Sequence, residues 1–479
     1  MRVRQLQSRR PVILGPNGKP ARSVRARYDA AQTTTLNSRH WASADALSAD
    51  AAASISVRRT LRNRSRYEIA NNSYARGIVN LLADYTIGTG PRLQVLSESQ
   101  AESRQVEAAF FAWARAVRLP EKLRVMRKAR TSDGENFALL ATNPAIANPV
   151  RLDIIPIEAD RIADPLVALE SDSVDGITFD AHRNPVTYSL LNEHPGGQFS
   201  GFANNATIVP ADQIIHGFRP DRPGQSRGVP EITPALPLFA QLRRYTLAVL
   251  TAAESAANIS GVLKTTAPPD EAIDPESGNP FETIEMERNM FTVMPDGYDI
   301  TQIKAEQPTT MYPDFKREII NEIARALNIP YNIAAGNSSG YNYASGRLDH
   351  QAFFRSIAVD QAIIEAQEVN RIFAAWYSEA ILIEGLLPQR WRLTGATIPH
   401  QWFWDGTEHV DPAKEAKGQA TRLASGATNL AREYGRLGLD WETELRQRAS
   451  ELALMRELEI PVAGLPAPEP AEAGDLDNE

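Results

Sequence analysis

The feature that most limits what this chain can fold into is a helical pattern running from about residue 347 to 383. Phe353, Phe354, Ile357, Ile364, Val369, Phe373 and Trp376 recur along it. Long helices are also expected over about 57–86 and 232–258. Between them lie stretches of short β-runs. A chain of very long helices joined through β-rich insertions gains part of its core by packing against copies of itself. The expected class is therefore α+β, and the expected state is an oligomer.

Composition narrows the reading further. A length of 479 residues allows about two to four folding units. With 43% hydrophobic and 23% charged residues, wholesale disorder and a fibrous repeat are both excluded. The chain has no cysteine, which removes a disulfide framework, a thiolate metal site and a cysteine nucleophile together. No apolar run approaches the ~20 residues needed to span a bilayer, and no apolar core of a secretory signal stands at the N-terminus. Net charge is −8, yet residues 1–28 carry eight cations and no acid, which leaves the rest of the chain at −16. A basic arm on an acidic body reads either as a contact to nucleic acid or an acidic partner, or as a solvated tail.

Residues 1–55 lack sustained periodicity and read as a flexible arm. The helix over 57–86 begins with Arg58, Arg59, Arg62, Arg64 and Arg66 and carries an apolar stripe through Ile69, Tyr74, Ile78, Leu81, Leu82 and Tyr85. Helices over 97–117 and 121–129 follow, the latter basic on its exposed side. Short β-runs at 136–142, 151–156, 176–179, 186–191 and 213–218 are separated by turn chemistry and suggest a mixed, mostly antiparallel sheet. Pro234 and Pro237 fit the first turn of the helix that follows or a kink in it. Residues 262–311 read as strand and loop, 314–327 as a shorter helix, and 331–346 as a loop of Asn, Ser, Gly and Tyr. Beyond the long helix come an aromatic cluster (Trp391, Trp402, Phe403, Trp404), helices at 412–424 and 441–458, and a Pro-, Ala- and acid-rich end.

Catalytic patterns are few. No phosphate-binding Gly-x-x-x-x-Gly-Lys loop and no His-Glu-x-x-His pair exist. Gly336-Asn-Ser338-Ser-Gly340 fits the Gly-x-Ser-x-Gly elbow, with Asp349 and His350 nearby, and makes a serine hydrolase at Ser338 a competing hypothesis. The context opposes it, because residues 330–335 are too short and broken for a buried strand and no helix can start directly after the serine. Asp133-Gly-Glu135 offers two close carboxylates without a third ligand and reads as a strand-entry turn. The arginines of the first helix read as phosphate ligands or as a salt-bridged surface. Neither an enzyme nor a cofactor is expected.

Four segments, taken in order, resemble the lambda-like family of portal proteins of tailed bacteriophages. The first is Leu61-Arg-Asn-Arg-Ser-Arg66 with Asn71-Asn72, Ala75-Arg-Gly77 and Ile87-Gly-Thr-Gly90. The second is Ile214-Ile-His216 through Arg219-Pro-Asp-Arg-Pro-Gly-Gln-Ser-Arg-Gly-Val-Pro230. The third is Asn328-Ile-Pro-Tyr331 with Asn342-Tyr-Ala-Ser-Gly-Arg347, and the fourth is Trp402-Phe-Trp404 with Val410-Asp-Pro-Ala-Lys-Glu-Ala416 and Gly438-Leu-Asp-Trp441.

The resemblance implies a homo-oligomeric ring, usually of twelve subunits, at one capsid vertex of the virion, assembled in the host cytoplasm. Double-stranded DNA would be packaged and ejected through it, with terminase docking first and the head–tail connector later. Major capsid and scaffold proteins would be further partners, and no membrane is involved. By the same resemblance, residues 1–55 are an arm, 56–230 a first wing part and 231–261 a stem helix. Residues 262–311 are then a clip, 312–330 a second stem helix, 331–346 a tunnel loop and 347–410 the long helix with the rest of the wing. The crown takes 411–460 and an acidic tail 461–479. Channel residues implied are Asn337, Ser338, Ser339, Tyr341, Asn342 and Tyr343 of the loop, with Arg347 and the stem cations Lys316 and Arg317. The physics agrees, since each phosphate neutralised by Lys or Arg adds affinity and slows sliding, so a conduit favours a polar loop on an acidic body. Those three cations read equally as salt bridges between subunits. A non-portal head–tail adaptor or minor capsid component is the remaining alternative.

Overall fold

In the computed structural model, which describes residues 39–164, 173–197, 205–258, 262–265, 298–301, 311–340, 342–394, 397–406, 412–458 and 460, the arginine-rich stretch folds as two helices where one was expected. After the short α1 (Ala49–Ala52) come α2 (Ile55–Asn71) and α3 (Ser73–Ile87). Asn72 divides them. Its backbone is extended (φ −124°, ψ 118°) and its side-chain oxygen accepts the N–H groups of Tyr74 and Ala75, which starts α3 afresh. The apolar spacing continues across the break, so periodicity alone misses it. The expected flexible arm is also shorter at its end, because Asp50 of α1 accepts the backbone N–H of Ser226 at 2.7 Å. The part of that arm before residue 39 lies outside the described residues.

Strand β1 (Arg92–Val95) leads to α4 (Gln100–Ala116) and α5 (Leu119–Asp133). Val106, Phe110 and Trp113 form the buried face of α4. Phe110 is the centre of an aromatic cluster, its ring 5.4 Å from Trp113, 5.6 Å from Phe373 and 5.2 Å from Trp376. Such edge and tilted arrangements favour the ring quadrupoles beyond their apolar burial. The expected basic exposed side of α5 holds in part, with Lys122, Arg124 and Lys128 half-buried, whereas Arg127 is buried, as is Arg130 beyond the expected helix.

All five expected β-runs are strands, but they form two separate antiparallel sheets, not one mixed sheet. The first has the order β3-β2-β7, from β2 (Glu135–Thr142), β3 (Leu152–Ile157) and β7 (Ile214–Phe218). The second joins β4 (Ile177–Phe179), β5 (Pro185–Leu191) and the unforeseen β6 (Ala206–Pro210) in sequence order. Phe137, Ile177, Tyr188 and Ile214 fill the space between the two sheets.

A 3-10 turn, Thr233–Ala235, opens α6 (Leu236–Asn258), and both prolines fall where no backbone donor is needed. Strands β8 (Val262–Thr265) and β9 (Tyr298–Thr301) pair antiparallel, and the rest of the expected clip up to residue 310 lies outside the described residues. Then come α7 (Tyr312–Ala326), α8 (Tyr331–Ala335) and α9 (Tyr343–Ile364). The expected loop over 331–346 thus contracts to residues 336–342. A π-helical turn, Glu365–Val369, connects α9 to α10 (Asn370–Ala380), so the long helix is real but starts earlier and carries an inserted turn. A second core unites α3, α6, α7 and α9 through Ile78, Phe239, Ile320, Ile323 and Phe353. Helix α11 (Gln389–Thr394) and β10 (His400–Phe403) return to the first core, where β10 pairs with β1 and Trp391 and Trp402 pack. Helices α12 (Pro412–Ala424), α13 (Leu430–Arg436) and α14 (Trp441–Glu457) complete the described chain, and α14 buries no residue.

Phe110→Ala should lower the unfolding free energy by about 3–5 kcal/mol, the usual cost of emptying a large aromatic site. Denaturant unfolding followed by tryptophan fluorescence checks this, because Trp113 and Trp376 flank the cavity.

Candidate functional site

Residues of the first two segments that carried the family resemblance converge on a buried ion hub. Arg58, Arg62 and Arg66 stand four residues apart and so share one face of α2. Opposite them, Gly134 ends α5 in the left-handed region (φ 92°), and Glu135 begins β2 fully enclosed. A Cβ at Gly134 would lie 2.6 Å from the Pro230 nitrogen, so only glycine lets the Arg227–Pro230 segment pass.

Glu135 accepts from Arg62 at 2.5 Å, from Arg227 Nη2 at 2.8 Å and Nε at 2.9 Å, and from the Gly228 N–H at 3.0 Å. His216 Nε2 lies 3.1 Å from its other oxygen. Arg227 spends its remaining donors on the carbonyls of Ile162 and Ala159 and pairs with Asp175, which also holds Arg58. Arg66 forks onto Asp133 at 2.8 and 2.9 Å and reaches Asp160 at 2.7 Å. Burial alone would raise the Glu135 carboxyl, but Arg227, His216 and Arg62 hold it well below the ordinary value. Burial pushes the His216 imidazole down despite that carboxylate. Arg58, Arg62 and Arg66 are therefore bound within the protomer and are not phosphate ligands, with Asp133, Glu135, Asp160 and Asp175 as their anchors, while Arg59 and Arg64 are exposed.

A second cluster joins α5 to the long helices. Arg127 contacts Asp360 at 2.8 Å and Glu231 at 2.9 Å, and Arg130 contacts the same two acids. Glu231 lies just before the turn into α6, and Asp360 lies near the end of α9, so one guanidinium pair clamps the start of one helix to the end of the other. Burial would raise Glu231, yet Arg127 and Arg130 bring it from 4.5 to about 2. The π turn then aims its side chains at the first sheet. Gln367 accepts the Phe218 N–H at 3.2 Å, and Glu368 accepts from Asn136 at 2.9 Å. Burial raises the Glu368 carboxyl against the opposing pull of Asn136 and Arg130.

These clamps position the expected channel residues. Along α7, Ile319, Ile320, Ile323 and Ala324 turn inward, which leaves Asp314, Arg317 and Glu318 exposed. Lys316 lies over the rings of Tyr74 and Tyr312 at 5.3 and 5.9 Å, while Arg317 bonds Asp314 at 2.9 Å and approaches Glu318 at 3.7 Å. Helix α8 stops at Gly336 (φ 62°). Asn337 accepts the Ser339 N–H at 2.9 Å, and Asn342 caps α9 by accepting from Ser345 at 2.9 Å, so the loop is shaped by its own side chains. Lys316, Arg317, Asn337 and Ser339 share the wall of one cleft of about 600 Å³.

Ser338 is exposed on the same loop, and Arg347 is exposed on the first turns of α9, outside that wall. Tyr341 and the side chain of Tyr343 lie outside the described residues. His350 is not directed to Ser338, since its Nε2 lies 3.1 Å from the Asn332 amide. The Gly-x-Ser-x-Gly pattern sits between a short helix and a loop, without the strand that a nucleophile elbow needs. Sequence reasoning missed Glu135, Arg227, Glu231 and Asp360 as a set. The four-residue spacing of Arg58, Arg62 and Arg66 was the signal available for the first two.

Arg227→Ala should cost about 3–5 kcal/mol by removing the bidentate partner of the buried Glu135 and leaving Arg62 as its one guanidinium, measurable by denaturant unfolding. Acid should act through Glu231, whose ion pairs contribute fully above pH 4.5 and are lost as the pH falls from there toward 2. Glu368 has the opposite sign: its raised value favours the fold at low pH, and that contribution disappears as the pH rises through it. Glu368→Gln should therefore be more stable than the parent at about pH 7.5, with the advantage gone by about pH 4, in thermal melts across pH.

Comparison with known proteins supplies the family. Residues 37–361 match the family described as "Phage portal protein, lambda family". A "Probable portal protein" of Halomonas phage phiHAP-1 is 25% identical over 438 residues, covering 84% of this chain and 82% of that protein. Among solved structures, the neck of a native GTA particle computed with C12 symmetry shares 17% identity at a TM-score of 0.44, covering 79% of this chain and 92% of that one. An HK97 family phage portal protein from Corynebacterium diphtheriae shares 14% identity at a TM-score of 0.31, covering 63% and 89%. At these scores the structural likenesses carry no argument, and the sequence match carries it. That match spans the ion hub, the Arg219–Pro230 motif, α7 and the loop, and it sets aside the adaptor and hydrolase alternatives. The chain belongs to the lambda family of phage portal proteins, structural components of phage particles and not enzymes.

Proposed function

We propose that identical copies of this chain close a ring at a capsid vertex and that double-stranded DNA passes through its bore during packaging and ejection. The observation that carries the ring is the unpaired apolar flank of α6 and α7. Leu247 and Leu250 are 59% and 55% exposed on α6, and Met311 and Phe315 are 72% and 47% exposed beside or on α7. Side chains of this size on neighbouring helices make a surface that a neighbouring copy would cover. In this reading α6 and α7 are the stem, and 262–311 is the clip that meets terminase and then the connector. Residues 336–342 are the loop nearest the DNA.

The charge pattern supports a bore that holds a polyanion loosely. Arg317 is already neutralised by Asp314 and Glu318, and Lys316 is turned onto two tyrosine rings. Asn337, Ser338, Ser339 and Asn342 offer exchangeable, water-mediated contacts to phosphates without base readout. Arg347 makes no ion pair among the described residues and supplies the one fixed charge we place near the DNA.

Electron microscopy of the purified protein should show closed rings with a central hole, and particles that stay monomeric would refute the reading. Ser338→Ala should leave those rings intact. Ser338→Lys with Ser339→Lys should make DNA retention by the ring visibly more salt-dependent, by about one unit of log–log slope for each phosphate that the new lysines neutralise.

A further inference from the structure

Arg219, Arg325 and Arg355 line a cleft of about 540 Å³ where α7 ends, α8 begins and α9 runs past. Among the described residues none of the three makes an ion pair, and Asp349 is the acid they face on the cleft wall. Three cations against one acid stand out on a chain with a net charge of −8. The motif 219–230 makes the contrast plain. Arg227 is consumed by the ion hub, and Arg222 donates to the Leu47 carbonyl at 3.1 Å, whereas Arg219 has no such partner among the described residues.

The rest of the wall mixes the polar Asn321, Asn328 and Ser356 with apolar groups that include Pro330, Ala352 and Val359. Val359 is 53% exposed, and Leu348 on the same helix is 67% exposed. Nucleic-acid phosphates would use the arginines and gain nothing from those carbons. A protein segment uses both, as the core and rim of protein interfaces do. In a closed ring the contact is heterologous, so the patch that offers charge differs from the patch that meets it. The chain has suitable acids, since Asp84 on α3, Glu254 on α6 and Glu322 on α7 are exposed and make no ion pair among the described residues.

We infer that this basic cleft receives a carboxylate-bearing segment of a second copy of the chain, pairing Arg219, Arg325 and Arg355 across the subunit boundary. The inference rests on the ring proposed above and assigns its specificity-determining contact. Charge pairs of this kind fix register and reject wrong docking more than they add bulk affinity.

The test uses the full-length protein without DNA, comparing the parent with the Arg325→Glu/Arg355→Glu double variant by mass photometry and electron microscopy. The double variant should need about tenfold more protein, or greater, to form rings, while Arg325→Lys/Arg355→Lys should assemble close to normally. Circular dichroism shows whether the reversed variant is folded, and where it is not, Arg325→Gln/Arg355→Gln decides by the same readout. Rings of parental stability from a folded variant overturn the inference. They do so also if those rings retain DNA more weakly, which would assign the cleft to phosphate. A parent that forms no rings at any concentration overturns the ring itself, a distinct result.

Discussion

The structure depends on the carboxylate of Glu135. It is enclosed at the start of β2 and receives two guanidinium groups, a backbone N–H and an imidazole. An ion taken out of water is tolerated only when its lone pairs are filled with good geometry. That requirement explains the local chemistry around it. Gly134 makes room for the chain that brings Arg227, the Gln225 side chain donates to the Arg227 carbonyl at 2.8 Å, and Gly228 supplies the last donor. The hub therefore welds α2, α5, the first sheet and the 219–230 segment into one body.

From that body the geometry passes outward through the second clamp. Arg127 and Arg130 hold the entrance to α6 and the C-terminal end of α9 against α5, and the π turn locks the long helix to the β2–β7 edge through Gln367 and Glu368. An inserted turn of this kind shifts the helical phase locally, which is what brings two successive side chains to the sheet. Helices α6 and α7 and the loop at 336–342 are thus tied to that body. Their own surfaces are different in character: apolar along α6 and α7, polar and charge-balanced around residues 336–342. In the proposed ring, a surface covered by copies of the chain and a surface that slides past a polyanion would have these opposite requirements.

Much of the scaffold is legible in local pattern. The β-runs around 136–142 and 186–191 and the helix over 412–424 are bounded by turn residues and periodicity, and the structure returns them within a residue or so. What was not legible depends on distance in sequence. Strands β1 and β10 are four residues each and gain their partner only across some three hundred residues of chain, so neither has a strong signal alone. The π turn has no compositional mark. The division at Asn72 is written in cap chemistry, which the continuing apolar stripe obscured. Most instructive are the arginines of α2. By local pattern they read as a solvated or phosphate-binding face, and only the fold brings Glu135, Asp160 and Asp175 to Arg58, Arg62 and Arg66. The polar loop before a long helix was legible in kind, but not the way Tyr74 and Asp314 engage the neighbouring Lys316 and Arg317.

Hydrogen exchange of the assembled protein, read by mass spectrometry, tests most directly whether the buried hub is the point on which everything else is hung. Amides in α2, in β2 and at residues 226–228 should be the slowest in the chain and should exchange only with global unfolding, while those at 336–342 exchange early. Exchange at the hub as fast as at the loop would contradict the account.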